Sequence, residues 1–441
     1  MPTNKPNKSV VTAEGHKIFL KDLLLIKSET FCMMPWVHFH TTPTGQGAPC
    51  CVSNSCADNQ GVGNSRDHSL SDLVNSPKMR KLRLDMLKGN KNPECAGCHK
   101  HDATGVPSFR TQSNKQWGEY FDDILATTDM NTGRIVNFRM RYFDIRFSNI
   151  CNFKCRTCNS AFSSQWEQED LKSHSETGVP HYAMEIEKGN SKEFLRNVIQ
   201  QVPNFEVAYF AGGEPLITDE HYILLDEMIK TQNTDIQLRY NSNISNFKYK
   251  KRDIFKLWKH FSQPIQVYAS IDHIGDRAEY IRSGTNWKTI ERNMKKLIKT
   301  PNIDFTVNTV YSIFNALTIS HFYKYMIDNH YYKPGRSVWS LYCMDAPKHV
   351  SPHALPIEFK EQALQQLEIT EKYMRDLDFN DNQIQPITDV KKWLFQENTW
   401  EEQQGEFKKE IKRLDRIRNE DFAKTFPEIK QLYKIDEILK P

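Results

Sequence analysis

The 441-residue sequence contains no apolar run of eighteen or more residues, which excludes a membrane-spanning helix of the usual kind. Its start, MPTNKPNKSV, is basic, but no apolar region of signal-peptide type follows, so a cytoplasmic location is expected. No charge of one sign dominates. The formal net charge is +4, small for this length, and it gives no argument for a nucleic-acid partner. The densest basic run, KYKKR from Lys248 to Arg252, reads as a solvated helix start. Charged residues at 26% and aromatics at 11% are those of a globular chain with room for two or three domains. Cysteine is scarce, ten residues in all. These thiols stand at metal-ligand spacings, which fits a reducing compartment better than a disulfide framework.

Cys151, Cys155 and Cys158 form a C-x3-C-x2-C triad in the run CNFKCRTC, just after an apolar strand pattern. At this cysteine content, one such triad at fixed spacing is expected by chance roughly 0.005 times per chain. Three thiolates can hold three irons of a [4Fe-4S] cube and leave the fourth iron open for chemistry. The competing reading is a zinc knuckle. Zinc needs a fourth Cys or His, and only His174 follows within twenty residues, beyond a predicted helix.

About sixty residues on, the chain reads VAYFAGGEPLI, with Gly212, Gly213, Glu214 and Pro215 at the end of a second apolar strand. Two glycines permit close approach of the backbone to a ligand. Triad and GGEP together, in this order and each at a strand end, resemble the radical S-adenosylmethionine (SAM) superfamily. The resemblance implies that Cys151, Cys155 and Cys158 hold a [4Fe-4S] cluster that binds SAM. The backbone of Gly212, Gly213, Glu214 and Pro215 would then receive the SAM amino group. The position before the third cysteine is commonly aromatic in that family; here it is Thr157, a departure that touches the adenine contact.

Six strand-like runs are expected at 139–147, 205–210, 236–240, 265–271, 305–311 and 338–343. They alternate with helical patterns at 161–172, 191–201, 219–231, 253–261, 287–299 and 318–329. Six strand–helix units in about 210 residues argue for a parallel α/β sheet. The expected fold class is therefore α/β, a partial (β/α)6 barrel rather than a closed eightfold one. Sites in such sheets lie at the carboxyl ends of the strands. By resemblance, Ser270 and Arg282 (in EYIRSG) are expected to contact the ribose and carboxylate of SAM, with Asn308 as a further contact. An arginine fork suits a carboxylate. Cys343, at the end of the sixth strand, is read as a small apolar residue rather than a hydrogen-atom donor.

Before the barrel, CMMPWVHFHTTPTGQGAPCC places Cys32, Gly45 and Cys50 in a C-x12-G-x4-C spacing, and PECAGC adds Cys95 and Cys98. Residues 37–41 and 48–52 can pair as a hairpin around the turn 43–47. Leu70, Leu73, Val74, Leu82 and Met86 form a helical stripe between the two cysteine sets. This arrangement resembles the twitch or SPASM-type domain of radical SAM enzymes. It implies a second, auxiliary [4Fe-4S] cluster on Cys32, Cys50, Cys95 and Cys98; a zinc ribbon would use the same thiols. Adjacent residues in a hairpin face opposite ways. On spacing, Cys50 is taken as the ligand over Cys51, and Cys56 as spare. In better-known relatives this domain follows the barrel, whereas here it precedes it.

The expected division is 1–30 as an N-terminal extension, 31–125 as the auxiliary domain, 138–352 as the barrel and 353–441 as a C-terminal helical segment. In the last segment the stripe Phe407, Ile411, Leu414 and Ile417 is expected to dock on a neighbour and cap the barrel. The resemblance implies reductive cleavage of SAM to a 5′-deoxyadenosyl radical and hydrogen abstraction from a substrate carbon. It further implies a flavodoxin- or ferredoxin-type electron donor and an auxiliary cluster that accepts an electron. The leading expectation is peptide or protein modification. The alternatives are dehydrogenation of an amino sugar or aminocyclitol and, in another class, a non-catalytic iron–sulfur sensor.

Overall fold

The computed structural model describes residues 9–11, 17–57, 61–103, 105, 107–173, 191–336 and 339–432. His174 and the first residue of the expected sixth strand, Val338, lie outside these, as do parts of the N-terminal extension and the end of the C-terminal segment. Eight strands form the main sheet. They are β1 (His38–Thr41), β2 (Gly47–Ala48), β3 (Tyr142–Ile145), β4 (Val207–Phe210), β5 (Gln237–Ser242), β6 (Ile265–Ser270), β7 (Ile303–Tyr311) and β8 (Ser340–Cys343). Their order is β8-β7-β6-β5-β4-β3-β1-β2. All neighbours run parallel except the hairpin β1–β2.

The six expected strands are thus β3 to β8, parallel and in sequential order, as helical crossovers dictate. The expected helices appear as Ser164–Ser173, Ser191–Gln201, Asp219–Lys230, Ile254–Trp258, Trp287–Lys299 and Ile319–Asp328. One more, Gly275–Ile281, precedes Arg282. Strand residues alternate between buried and half-buried along β5 and β6. Leu238, Tyr240, Val267 and Ala269 are buried, whereas Arg239, Asn241, Tyr268 and Ser270 are only half-buried.

The hairpin is where the fold exceeds expectation. β1 and β2 pair around a turn with Gly45 at φ +78°, but β2 is only two residues long. The outer side of β1 then pairs in parallel with β3, His40 opposite Asp144, so the hairpin extends the main sheet. The stripe between the cysteine sets is two helices, Leu70–Val74 and Pro77–Leu87, each capped by a serine. Pro77 cannot donate back into a preceding turn, and the chain breaks before it. Lys248 to Arg252 is a small antiparallel ribbon with Lys250 at φ +52°, not a helix start; Lys250 pairs with Asp219 and Arg252 with Asp226.

The C-terminal segment is helical: Ile357–Asp376, Asp381–Trp393, Trp400–Arg418 and Phe422–Thr425. Asn419, left-handed at φ +53°, ends the third of these. Phe407, Ile411 and Leu414 are buried, while Ile417 is exposed and takes no part in the docking stripe.

Candidate active site and thiol clusters

The loop after β3 carries Cys151, Cys155 and Cys158. Cys155 is buried and the other two are half-buried. Short bonds fold the loop on itself: Phe153 N donates to Cys151 Sγ (3.4 Å), Cys158 N to the Cys155 carbonyl (3.0 Å), and Trp166 Nε1 to the same carbonyl (2.7 Å). Burial pushes all three thiols up, Cys158 to about 12. Cys151 and Cys158 are raised further by Cys155, so the three sulfurs share one site. Neutral thiols of this kind release their protons on binding a metal.

The GGEP loop locks onto this loop. A Cβ on Gly213 would lie 2.1 Å from the Ile150 carbonyl oxygen, and Glu214 N donates to that same oxygen at 2.7 Å. Gly213 is therefore required by contact with the cysteine loop itself. The Glu214 carboxylate is buried and accepts from Leu216 N (3.2 Å), Ser242 Oγ (2.8 Å) and Asn243 N (2.7 Å), which ties the end of β4 to that of β5. Burial outweighs these donors and pushes Glu214 up to about 7. A second glycine escaped the sequence reading. Gly284, at φ +106°, brings its backbone against Asn152, where a Cβ would sit 2.9 Å from the carbonyl oxygen. Beside it, Lys154 N bonds the Ser283 carbonyl (2.9 Å) and Arg156 N that of Ile281 (2.7 Å).

Arg282 faces the triad. Its Nη1 lies 3.8 Å from Cys155 Sγ, and its Nη2 donates to Asp272 Oδ1 at 3.0 Å, with Nε 2.8 Å from Oδ2. Burial would lower its pKa, but the Asp272 carboxylate and the Cys155 thiol raise it overall. The fork expected for a SAM carboxylate is thus engaged by Asp272. Ser270 and Asn308 stand opposite each other in the register of β6 and β7. Asn308 Nδ2 donates to Asn241 Oδ1 (2.9 Å) and Asn241 Nδ2 to Tyr209 Oη (2.5 Å), while Asn308 Oδ1 is buried with no partner among the described residues. Cys343 ends β8 half-buried, its thiol pushed up to about 12 by burial.

Behind the loop lies a buried ion network that the sequence does not announce. Arg156 Nη2 donates to Asp415 (2.6 Å) and Glu420 (2.5 Å), and its guanidinium stacks 3.7 Å over the Tyr280 ring. Glu169 joins Lys154 (2.5 Å) to Arg418 (2.6 Å). The C-terminal helices thereby hold the cysteine loop from outside.

The N-terminal thiols converge separately. The Cys32 thiol is raised by burial and then by Cys95 and Cys98; Cys50 is raised by burial, then by Cys32, Cys51 and Cys95. Glu94 fastens the two halves, accepting from Ser55 N (3.0 Å) and Ser55 Oγ (2.6 Å). Cys51 is pushed up to about 11, first by burial and then by Asp144, with a further rise from Cys98. Cys56 donates to the Cys50 carbonyl at 3.3 Å. All ten cysteines are free thiols. Cys32, Cys50, Cys95 and Cys98 are buried or half-buried, with no disulfide among them, as free thiols that could hold a cluster would be.

Residues 32–99 match a family model described as an iron–sulfur cluster-binding domain, SPASM. Those bounds enclose Cys32, Cys50, Cys95 and Cys98. The chain therefore carries a SPASM-type iron–sulfur cluster-binding domain before the main run of parallel strands. No curated protein matches the chain. Among solved structures, similarity is found to "Native anSMEcpe with bound AdoMet and Cp18Cys peptide", at 15% identity and a TM-score of 0.35, over 53% of this chain and 60% of that one. "Native anSMEcpe with bound AdoMet" follows at 17% and 0.35, over 52% and 58%. "Structure of TYW1 with a lysine-pyruvate adduct bound" gives 12% and 0.21, over 39% and 53%. The chain thus spans about three fifths of the first of these. No helix among its described residues is long and apolar enough to cross a membrane.

Proposed function

We propose that this protein is a radical SAM enzyme that modifies a peptide or protein, at a side chain or α-carbon, by hydrogen abstraction coupled to oxidation. One observation carries the reading. Three thiols lie on the loop after a parallel strand, where Gly213 and Glu214 lock against Ile150 and Arg282 reaches Cys155. In this reading Cys151, Cys155 and Cys158 hold the SAM-binding cluster, and Cys32, Cys50, Cys95 and Cys98 hold the auxiliary one. When bound, these groups supply a 5′-deoxyadenosyl radical and an electron acceptor.

The chain's own residues bind and orient. The backbone at Gly212 to Pro215 receives the amino group of SAM, and Ser270 and Asn308 receive its ribose and carboxylate. Arg282, held by Asp272, places a fixed positive charge beside Cys155 and keeps its remaining Nη1 for the SAM carboxylate. The sheet from β3 to β8 curls as a partial barrel, and its half-buried polar side, with Arg239, Tyr268 and Asn241, faces the substrate. Residues 31–125 act as the auxiliary unit and 138–352 as the catalytic unit, with β1 of the first paired to β3 of the second. An acidic flavodoxin- or ferredoxin-type protein in the cytoplasm supplies the electron.

The test is anaerobic incubation of reduced, reconstituted protein with SAM. The expected result is 5′-deoxyadenosine from wild type and none from Cys155→Ala. A regulatory iron–sulfur sensor would yield none from either. Coupled product on peptide libraries, against amino-sugar substrates, separates the two enzymatic readings.

A further inference from the structure

His38 and His40 alternate with Phe39 on β1, so both imidazoles lie on one side of the strand. They stand opposite Tyr142 and Asp144 in the parallel register with β3. His38, His40 and Asp144 are all buried, and one ligand atom from each lies within 4.8 Å of the other two. None of the three belongs to either cysteine set or to the SAM pocket.

The His38 imidazole already makes the bond that orients a metal-bound histidine. His38 Nδ1 lies 2.8 Å from the Tyr142 carbonyl. His40 Nδ1 lies 3.0 Å from both the carbonyl and Oδ2 of Asp144. A carbonyl oxygen only accepts, so His38 Nδ1 carries the hydrogen and its Nε2 a lone pair, whereas at His40 a cation would take the place of the proton between Nδ1 and Asp144 Oδ2. Histidine ligands to metals show this arrangement, with the second nitrogen donating to a carbonyl or carboxylate. His38 Nε2 is buried and has no partner among the described residues. Leaving a buried acceptor unmet is unfavourable, and a cation would satisfy it. The His38 ring is held in place by stacking on Tyr142, with centroids 4.8 Å apart.

The charges around the group are Asp144 itself, Arg146, whose Nε lies 3.3 Å from Asp144 Oδ1, and the Cys51 thiol, which senses both. Arg146 is thus the competitor that any cation must displace from Asp144.

We propose that His38, His40 and Asp144 bind one first-row divalent cation, zinc being the representative probe, and that this ion staples β1 to β3. Two imidazoles and a carboxylate are a ligand set for zinc or ferrous iron. The site is distinct from both clusters and does not depend on the proposed reaction.

The test uses the full chain with its clusters reconstituted anaerobically, equilibrated with zinc and desalted. Metal content is read by mass spectrometry and ligand type by zinc X-ray absorption. About one zinc per chain is expected, with nitrogen and oxygen neighbours and imidazole scattering. His38→Gln and His40→Gln are expected to weaken zinc binding by about a hundredfold or more with iron content unchanged. Arg146→Gln, which removes the competitor, is expected to strengthen it. No retained zinc, zinc with sulfur neighbours only, or equal retention by His38→Gln would each overturn the proposal. If the histidine variants fail to fold, the absorption spectrum of wild type alone still separates nitrogen from sulfur ligation.

Discussion

Arg282 Nη1 sits 3.8 Å from Sγ of Cys155, and the same guanidinium is gripped by the buried carboxylate of Asp272. A fixed cation beside a ligating sulfur favours the reduced, more negative state of a cluster. Arg282→Gln is therefore expected to keep about four irons on the triad, to lower the reduction potential of that cluster and to slow SAM cleavage by about tenfold or more. Redox titration followed by electron paramagnetic resonance checks it. An unchanged potential would remove Arg282 from this role.

Gly213 offers a sharper structural test. A methyl group there would meet the Ile150 carbonyl at 2.1 Å and part the bond from Glu214 N. Gly213→Ala is expected to cost about 1–3 kcal/mol or more and to loosen the cysteine loop. Gly405, inside the helix Trp400–Arg418 with nothing within 4 Å, is the control; Gly405→Ala is expected to stabilise by about 0.5–1 kcal/mol. Thermal unfolding of both variants reads the difference.

These contacts mark where the sequence was legible. Strands β3 to β8 and their crossovers follow from local apolar periodicity, so the order of the parallel sheet was readable. The parallel pairing of β1 with β3 was not, because His40 and Asp144 are 104 residues apart and nothing local to β1 encodes its outer edge. The triad and GGEP were visible as motifs. Yet Gly213 serves loop-to-loop packing, and the Arg282 fork serves Asp272, both properties of tertiary approach. Arg156, inside the motif itself, reads as an ordinary surface charge until its partners 259 and 264 residues away are placed.

Glu214 should leave a mark on stability against pH. Burial raises its folded pKa from 4.5 to about 7, so between those values the folded state holds a proton that the unfolded chain releases. The folded protein is then favoured at low pH, and this contribution is lost as pH rises from about 4.5 to about 7, by at most ~3 kcal/mol. Denaturant unfolding of the apoprotein at several pH values should show that fall. Glu214→Gln should abolish the slope while lowering stability throughout, since its amide cannot accept from every donor around it.

The neighbouring thiols Cys50 and Cys51 separate in the same way. Cys50 is raised by burial and then most by Cys32, whereas Cys51 is raised by burial and then most by Asp144, with Cys98 the smaller influence. Reconstituted wild type should hold about eight irons, Cys50→Ala or Cys95→Ala about four, and Cys51→Ala about eight. The Cys95 variant should still cleave SAM without forming coupled product. Iron and sulfide analysis beside a 5′-deoxyadenosine assay decides this, and loss of four irons from the Cys51 variant would exchange the two assignments.

Arg156 tests whether the C-terminal helices merely cap the sheet or also hold the catalytic loop. Its guanidinium is buried between Asp415, Glu420 and the Tyr280 ring, and its backbone lies between Cys155 and Cys158. Removing a buried partner strands the opposing charges, so Arg156→Met is expected to destabilise by about 3–5 kcal/mol. The triple change Arg156→Met, Asp415→Asn, Glu420→Gln removes the stranded charges and should recover much of that stability. If the network also positions the loop, the triple variant will fold yet lose iron from the triad faster than wild type under a chelator, because Cys155 and Cys158 are no longer held from outside. Iron loss at the wild-type rate would confine the network to stability alone.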